Sequence, residues 1–214
     1  MNFKLIVIRT KKIEELIRFY EFLGMSFEYH KHGNGPYHYS SVLNELVFEI
    51  YPEVSEINHT TALRLGIELK DVETILEKLK SADQPIVKMP RMTKYGLVSI
   101  VEDPDGRKIE ISEEGTFVET GVMKLAESFR LKNRGIVFLG HCSDNIEIGN
   151  YIEFIINGEK RIRKVVGVDR GVRTNNPNFS HGLMINSFED EIEEINNWSP
   201  QNGIGRIFAK EKDQ

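Results

Sequence analysis

The sequence predicts an α+β protein, with paired βαβββ modules in tandem and a small C-terminal antiparallel β-barrel. Three observations lead there. A strand–helix–three-strand pattern occurs twice, and the helix stripe Ile13, Leu16, Ile17 returns at an offset of 59 residues as Val72, Ile75, Leu76. The second copy closes with Leu97–Ser112, LVSIVEDPDGRKIEIS, which reads as strand, tight turn and strand. Beyond the polar stretch Ser112–Gly121 the helical period vanishes until Glu189, and short strands divided by turn residues replace it.

The first module opens with a mostly apolar strand over residues 3–8. Thr10 is the expected N-cap of a helix from Lys11 to Leu23, with Ile13, Leu16, Ile17 and Tyr20 as its buried stripe and Gly24 as its stop. Strands follow at Met25–Tyr29, Tyr37–Val42 and Glu45–Tyr51, the last two sharing the turn at Leu43-Asn44. The second module repeats the plan: strand Leu63–Leu69, Asp71 as N-cap, helix Val72–Ser81, strand Pro85–Lys88 and the closing hairpin. In that hairpin Asp103-Pro104-Asp105-Gly106 is turn chemistry, since Pro fixes φ, Asp bonds back to the backbone and Gly accepts positive φ. Ile109 and Ile111 alternate with Lys108, Glu110 and Ser112, so Glu110 faces either solvent or a cavity. One such module leaves an apolar sheet face bare, and two facing each other would enclose a cavity.

In the remaining chain, strands are expected at Val122–Leu125, Ser128–Leu131, Ile136–Gly140, Tyr151–Ile156, Arg161–Asp169 and Leu183–Ile185. Their turns are Asn133-Arg134-Gly135, Asn157-Gly158 and Asn175-Asn176-Pro177. The acidic tail Glu189–Trp198 is expected to close the barrel as a short helix. The domain boundaries are thus 1–113 (modules 1–57 and 60–113) and 121–210, with Ser112–Gly121 as linker.

Composition excludes several function classes. The 214 residues carry a formal charge of −5, which argues against a general nucleic-acid binder. No apolar run approaches the ~20 residues of a membrane helix, and the N-terminus lacks a signal-peptide plan. A single cysteine, Cys142, excludes an internal disulfide framework and suits a reducing, cytoplasmic setting. His141 beside it cannot act with it as base and nucleophile, because adjacent strand residues point to opposite faces.

The motif DPDGRKIEI closely resembles the last hairpin of the vicinal oxygen chelate superfamily, which includes glyoxalase I, bleomycin-resistance proteins and extradiol dioxygenases. Phe19-Tyr20-(x)2-Leu23-Gly24-Met25 after a helix is similar to that family's first-module signature. The resemblance covers residues 1 to about 113 and implies a cup of two βαβββ modules, often in a homodimer. Metal-using members take ligands, usually two His and two Glu, from the first and last strand of each module. Carried over, those positions are Leu5, Glu49, Arg64 and Glu110. Both imidazoles are gone, and Arg64 sets a fixed positive charge where a cation would sit. The expectation is a cup without the family metal or any other cofactor, in which Arg64, Glu49 and Glu110 form an ion network. That network serves either structure alone or the recognition of a small, anionic ligand, with His38 and Tyr51 as further binding residues. The rival is an enzyme of the lyase or isomerase type using Glu49 or Glu110 for acid–base work. His30, His32 and His38 cluster on one hairpin, and solvated side chains are the expectation there over a two-His metal site.

The second half resembles the second domain of translation elongation factor Tu and its relatives. The resemblance rests on Arg134-Gly135-Ile136-Val137, Gly140, Ile148-Gly149-Asn150-Tyr151-Ile152-Glu153-Phe154 and Lys164-Val165-Val166-Gly167-Val168, with Asn150 where Asp is usual. No phosphate loop accompanies it. In the translation relatives such barrels touch tRNA or protein, and Lys160, Arg161, Arg163 and Lys164 form a local basic run in a domain that is near neutral as a whole. The run is expected to be either a solvated hairpin or a contact for protein or RNA, the latter making the chain a scaffold.

Overall fold

The computed structural model describes residues 5–44, 46–53, 63–132, 135–142, 146–171, 179–188, 191–200 and 203–211. The chain divides into two compact units, Met1–Met89 with Ser99–Glu113, and Pro90–Val98 with Glu114–Gln214. It is mostly β, with few helices. Among the described residues no helix is long and apolar enough to cross a membrane.

The first module runs β1 (Leu5–Thr10), α1 (Ile13–Phe22), β2 (Glu28–His30), β3 (His38–Leu43) and β4 (Leu46–Pro52). The second runs β5 (Arg64–Leu69), α2 (Val72–Ser81), β6 (Ile86–Thr93), β7 (Gly96–Glu102) and β8 (Lys108–Glu113). Each makes a four-stranded sheet, ordered β1-β4-β3-β2 and β5-β8-β7-β6, with its first and last strands parallel. The repeat is therefore structural: β1 and β5, like α1 and α2, begin 59 residues apart. One side of each helix is apolar and covers one sheet face. Leu16, Ile17, Phe19 and Tyr20 of α1 are buried, as are Phe48 and Ile50, and the Tyr20 and Phe48 rings lie 5.0 Å apart. Val72, Leu76 and Leu79 of α2 are fully buried, as are Ile109 and Ile111 of β8.

The two helices begin differently. Asp71 caps α2, accepting the Thr74 N–H at 3.0 Å, and the Glu113 carboxylate accepts that of Val72 at 3.1 Å. Thr10 does not cap α1, which starts at Ile13 with no side chain on its first amides. Its hydroxyl accepts the Lys12 N–H at 2.8 Å and donates to Asp105 at 3.0 Å. Asp105, in the β7–β8 turn, belongs to the other module.

That turn joins the modules. Gly106, at φ 86°, lets the chain reverse, and Asp103 accepts the backbone N–H groups of Asp105 and Arg107. Arg107 donates to Asp103 at 3.0 Å, to Asp105 at 2.8 Å and to the Arg9 carbonyl at 3.0 Å. Tyr20 donates to Asp103 at 3.3 Å, and all three of Tyr20, Asp103 and Arg107 are buried.

The second unit contains a closed six-stranded barrel, ordered β10-β13-β12-β11-β14-β9. Its strands are β9 (Phe117–Leu131), β10 (Gly135–Cys142), β11 (Tyr151–Ile156), β12 (Glu159–Arg170), β13 (His181–Ile185) and, after α3 (Ile192–Asn197), β14 (Gly203–Lys210). The Asn157-Gly158 turn expected between β11 and β12 is present, with φ of 51° and 83°. Two expectations need correction. Most of the stretch assigned to the linker is strand: β8 extends to Glu113, and β9 starts at Phe117 and runs unbroken through both segments expected as separate strands. Closure comes from β14, which pairs with both β11 and β9, and not from the acidic tail. The tail does supply α3, whose Ile195 joins the core beside Phe138, Phe154 and Trp198. Cys142 points into the same core and its neighbour His141 outward. The expected turns at Asn133-Arg134 and Asn175-Asn176-Pro177, together with residues 3 and 4, lie outside the described residues.

The basic run is only partly solvated, the Lys160 side chain being 61% exposed. Arg163 is 1% exposed and forms a two-pronged pair with Glu191, its Nε donating at 3.0 Å, while its guanidinium lies 4.7 Å from the Phe188 ring. Arg161 donates to Glu159, Glu191 and Glu194, and Lys160 reaches Glu153. Glu191 and Glu194, at the start of α3, neutralise Arg161 and Arg163 in place.

Removing one partner of a buried pair strands the other. Glu191→Ala is therefore expected to cost about 3–5 kcal/mol in urea unfolding, and Arg163→Met with Glu191→Leu far less. A second outcome concerns alkaline pH. Burial first, then the Asp103 charge, keeps the Tyr20 hydroxyl protonated far above the ordinary tyrosine range. The unfolded chain loses that proton near pH ~10 while the fold retains it, so stability falls above this pH by up to about 1.4 kcal/mol per unit. Tyr20→Phe is expected to remove that share of the slope; equal slopes in both proteins would contradict it.

Candidate functional site

Strand register decides which side chains share the sheet face that α1 leaves uncovered. Val7 and Arg9 of β1 lie beside Glu49 and Tyr51 of β4, and Ser40 of β3 lies across from Glu49. Leu5 falls on the same side of β1 as Val7, and Val42 and His38 on the same side of β3 as Ser40. Leu5, Val7 and Val42 on this face are 53%, 43% and 70% exposed, whereas Ser40, His38 and Glu49 are buried.

One end of this face gathers a polar cluster. His38 is fully buried, stacked on Tyr51 at 4.0 Å with the rings 9° apart, and its Nδ1 bonds to the Pro36 carbonyl at 3.2 Å. His30 is its direct cross-strand neighbour on β2, and His32 follows two residues later on the same side. The buried Glu49 carboxylate has one oxygen 3.3 Å from His32 Nε2 and 3.5 Å from His38 Nε2. The Tyr51 hydroxyl is held above the ordinary tyrosine value by burial first and by the nearby Glu49 carboxylate second. The Nε2 atoms of His30 and His38 are buried without a hydrogen-bond partner among the described residues. The four side chains bring their ligand atoms within 4.8 Å of one another. Of the three histidines expected in solvent, only His32 is there.

In the second module Arg64 of β5 pairs with Glu110 of β8, with side chains 54% and 42% exposed. The expected network of Arg64 between two glutamates is thereby corrected. Glu49 faces His32 and His38 within its own module, and Arg64 finds Glu110 across β5 and β8. Each carboxylate takes the nearest partner its own module supplies. Two further clefts run along the helices, one lined by Phe22, Thr74, Glu77 and Lys78, the other by Glu15, Arg18, Phe19 and Gln84.

The family profile described as Glyoxalase/Bleomycin resistance protein/Dioxygenase superfamily matches residues 2–111. The chain belongs to that superfamily through this segment. Among solved structures it is similar to TnmS3, an antibiotic binding protein from Streptomyces sp. CB03234, at 18% identity and a TM-score of 0.45, covering 53% of this chain and 95% of that one. It is also similar to Leishmania major glyoxalase I, at 24% identity and 0.43, covering 53% and 87%. A possible glyoxalase from Bacillus cereus matches at 19% and 0.41, covering 52% and 98%. No curated protein matches the sequence.

The metal that many superfamily members use does not fit the residues at the corresponding positions. Leu5 offers no donor atom, and Arg64, bonded to Glu110, places a cation in the other half of the set. Glu49 alone is buried with free coordinating capacity, and its neighbours are histidines from β2 and β3. Sequence reasoning noticed the three histidines but did not join them to Glu49. The signal was available: the tight turn at Asn44, with φ 56°, pairs Leu43 with Leu46 and so fixes Ser40 across from Glu49.

The exposure of Arg64 sets its energetic weight. Arg64→Leu is expected to lower stability by less than about 1 kcal/mol, the range of a surface pair, as measured by urea unfolding at neutral pH. A loss in the 3–5 kcal/mol range of a buried network would contradict the exposed placement.

Proposed function

We propose that the first domain, residues 1–113, binds a small anionic molecule on its uncovered sheet face without the superfamily's metal chemistry. The observation that carries this reading is the composition of that face. Large apolar side chains, Leu5, Val7 and Val42, stand exposed beside the guanidinium of Arg9, which lies 5.1 Å from the Tyr51 ring. Apolar surface of this kind is favourable to cover, and a guanidinium selects carboxylate or phosphate. The mismatch of Leu5 and Arg64 with a metal-ligand set supports binding over metal-dependent turnover. Of the two carboxylates considered for acid–base work, Glu110 is exposed and committed to Arg64, which leaves Glu49 as the one in a buried setting. A homodimer is part of the proposal. So is the barrel, residues 121–210, as a partner-binding module of the translation-factor type. The basic run is left out as its contact, because Arg161 and Arg163 are held by acidic residues of the same chain.

The test uses the full chain and a probe that carries both an aromatic body and a sulfonate, 8-anilinonaphthalene-1-sulfonate. Saturable binding is expected, at least tenfold weaker in Val7→Asp and in Arg9→Leu. Absence of saturable binding, or indifference to both substitutions, would overturn the reading. Turnover of a hemithioacetal of a 2-oxoaldehyde that is lost in Glu49→Gln would favour the enzyme instead.

A further inference from the structure

We propose that His30, His32, His38 and Glu49 form a site for one divalent transition-metal ion of the zinc class, displaced from the superfamily's ligand positions and sharing only Glu49 with them. Three arguments converge. The donor set is the first: three imidazole nitrogens and one carboxylate oxygen suit Zn²⁺ and its neighbours, whereas Mg²⁺ and Ca²⁺ call for oxygen. Spacing is the second. Metal bonds of about 2.0–2.2 Å in a tetrahedron put donor atoms roughly 3.3–3.6 Å apart. Glu49 already stands 3.3 Å from His32 Nε2 and 3.5 Å from His38 Nε2. The whole set lies within 4.8 Å, and the ring centres are 4.4–5.0 Å apart, so side-chain rotation in the β2–β3 hairpin closes the remainder.

The third argument is the orphaned nitrogens. With the His38 Nδ1–H donating to the Pro36 carbonyl, Nε2 carries a bare lone pair. That lone pair faces a carboxylate oxygen, acceptor against acceptor, in a fully buried ring with no hydrogen-bond partner at that atom. A cation between them turns the opposition into two bonds. The Pro36 carbonyl then plays the part expected of an outer partner, fixing the tautomer of a ligating imidazole, while the Tyr51 ring stacked on His38 holds its plane. His30 Nε2, buried and unpartnered, supplies the third nitrogen from β2. His32, exposed in the hairpin, closes the site from the solvent side.

The test uses the full chain, stripped with a chelator and titrated with Zn²⁺ against a chromophoric competitor, and separately with Co²⁺ to read the visible absorption of its coordination sphere. One ion per chain is expected, with a rise in melting temperature on Zn²⁺ addition and a tetrahedral-type Co²⁺ spectrum. His32→Ala, at an exposed position that spares the fold, should weaken Zn²⁺ at least tenfold, and Glu49→Gln likewise. His141→Ala, at the exposed histidine beside Ser180 in the barrel, should leave affinity unchanged. No stoichiometric Zn²⁺ binding, or binding indifferent to both His32→Ala and Glu49→Gln, would overturn the site. So would binding abolished by His141→Ala. The residues read here differ from those read by the sulfonate probe, so the two proposals fail independently.

Discussion

The fold of the first unit depends on one buried guanidinium. Arg107 bonds to Asp103 and Asp105 in its own turn and to the Arg9 carbonyl of the other module, and Tyr20 of α1 closes the group by donating to Asp103. Each βαβββ module has only one helix-covered face and would be marginal alone. A charge cluster out of water is stable only when every member is satisfied, which makes it demanding about geometry. Thr10 and Lys12 add two more links to the same turn, through Asp105 and the Pro104 carbonyl. The relative placement of the two repeats is thus fixed by polar groups that tolerate little displacement, while apolar packing holds each module by itself.

Much of this was legible in sequence, for identifiable reasons. The α2 limits follow from Asp71, whose cap is made within three residues, and the βαβββ repeat follows from periodicity alone. The start of α1 was misplaced because the Thr10 hydroxyl accepts the Lys12 N–H, a residue ahead of the helix's first turn. β14 escaped because Gly203 and Gly205 interrupt its alternation, and Glu114–Thr116 proved the only break between β8 and β9 because polar residues on an exposed strand face look like linker. Arg163 read as one cation in a basic run. Its burial depends on Glu191, 28 positions later, in the acidic tail read only as a closing helix.

The candidate site shows the same division. Register puts Glu49 and Tyr51 on one face of β4, beside Val7 and Arg9 of β1. Which charges meet was not legible, because that depends on pairings across strands. Arg64 and Glu49 occupy two of the family's four ligand positions, yet each found a closer partner within its own sheet. The repeat that duplicated the fold has not duplicated its chemistry: one module gathers imidazoles around a buried carboxylate, the other an exposed ion pair.

Trp198 gives the barrel a property that the rest of the chain lacks. It is the single tryptophan, seated against Phe138 and Phe154 at the end of α3. Indole emission excited at the red edge of the absorption band therefore reports the packing of the barrel alone. The tyrosine-rich first unit, with Tyr20, Tyr29, Tyr37, Tyr39 and Tyr51, contributes nothing to that signal. The protein carries its own optical label for one half, with which unfolding of that half can be timed without modifying a residue.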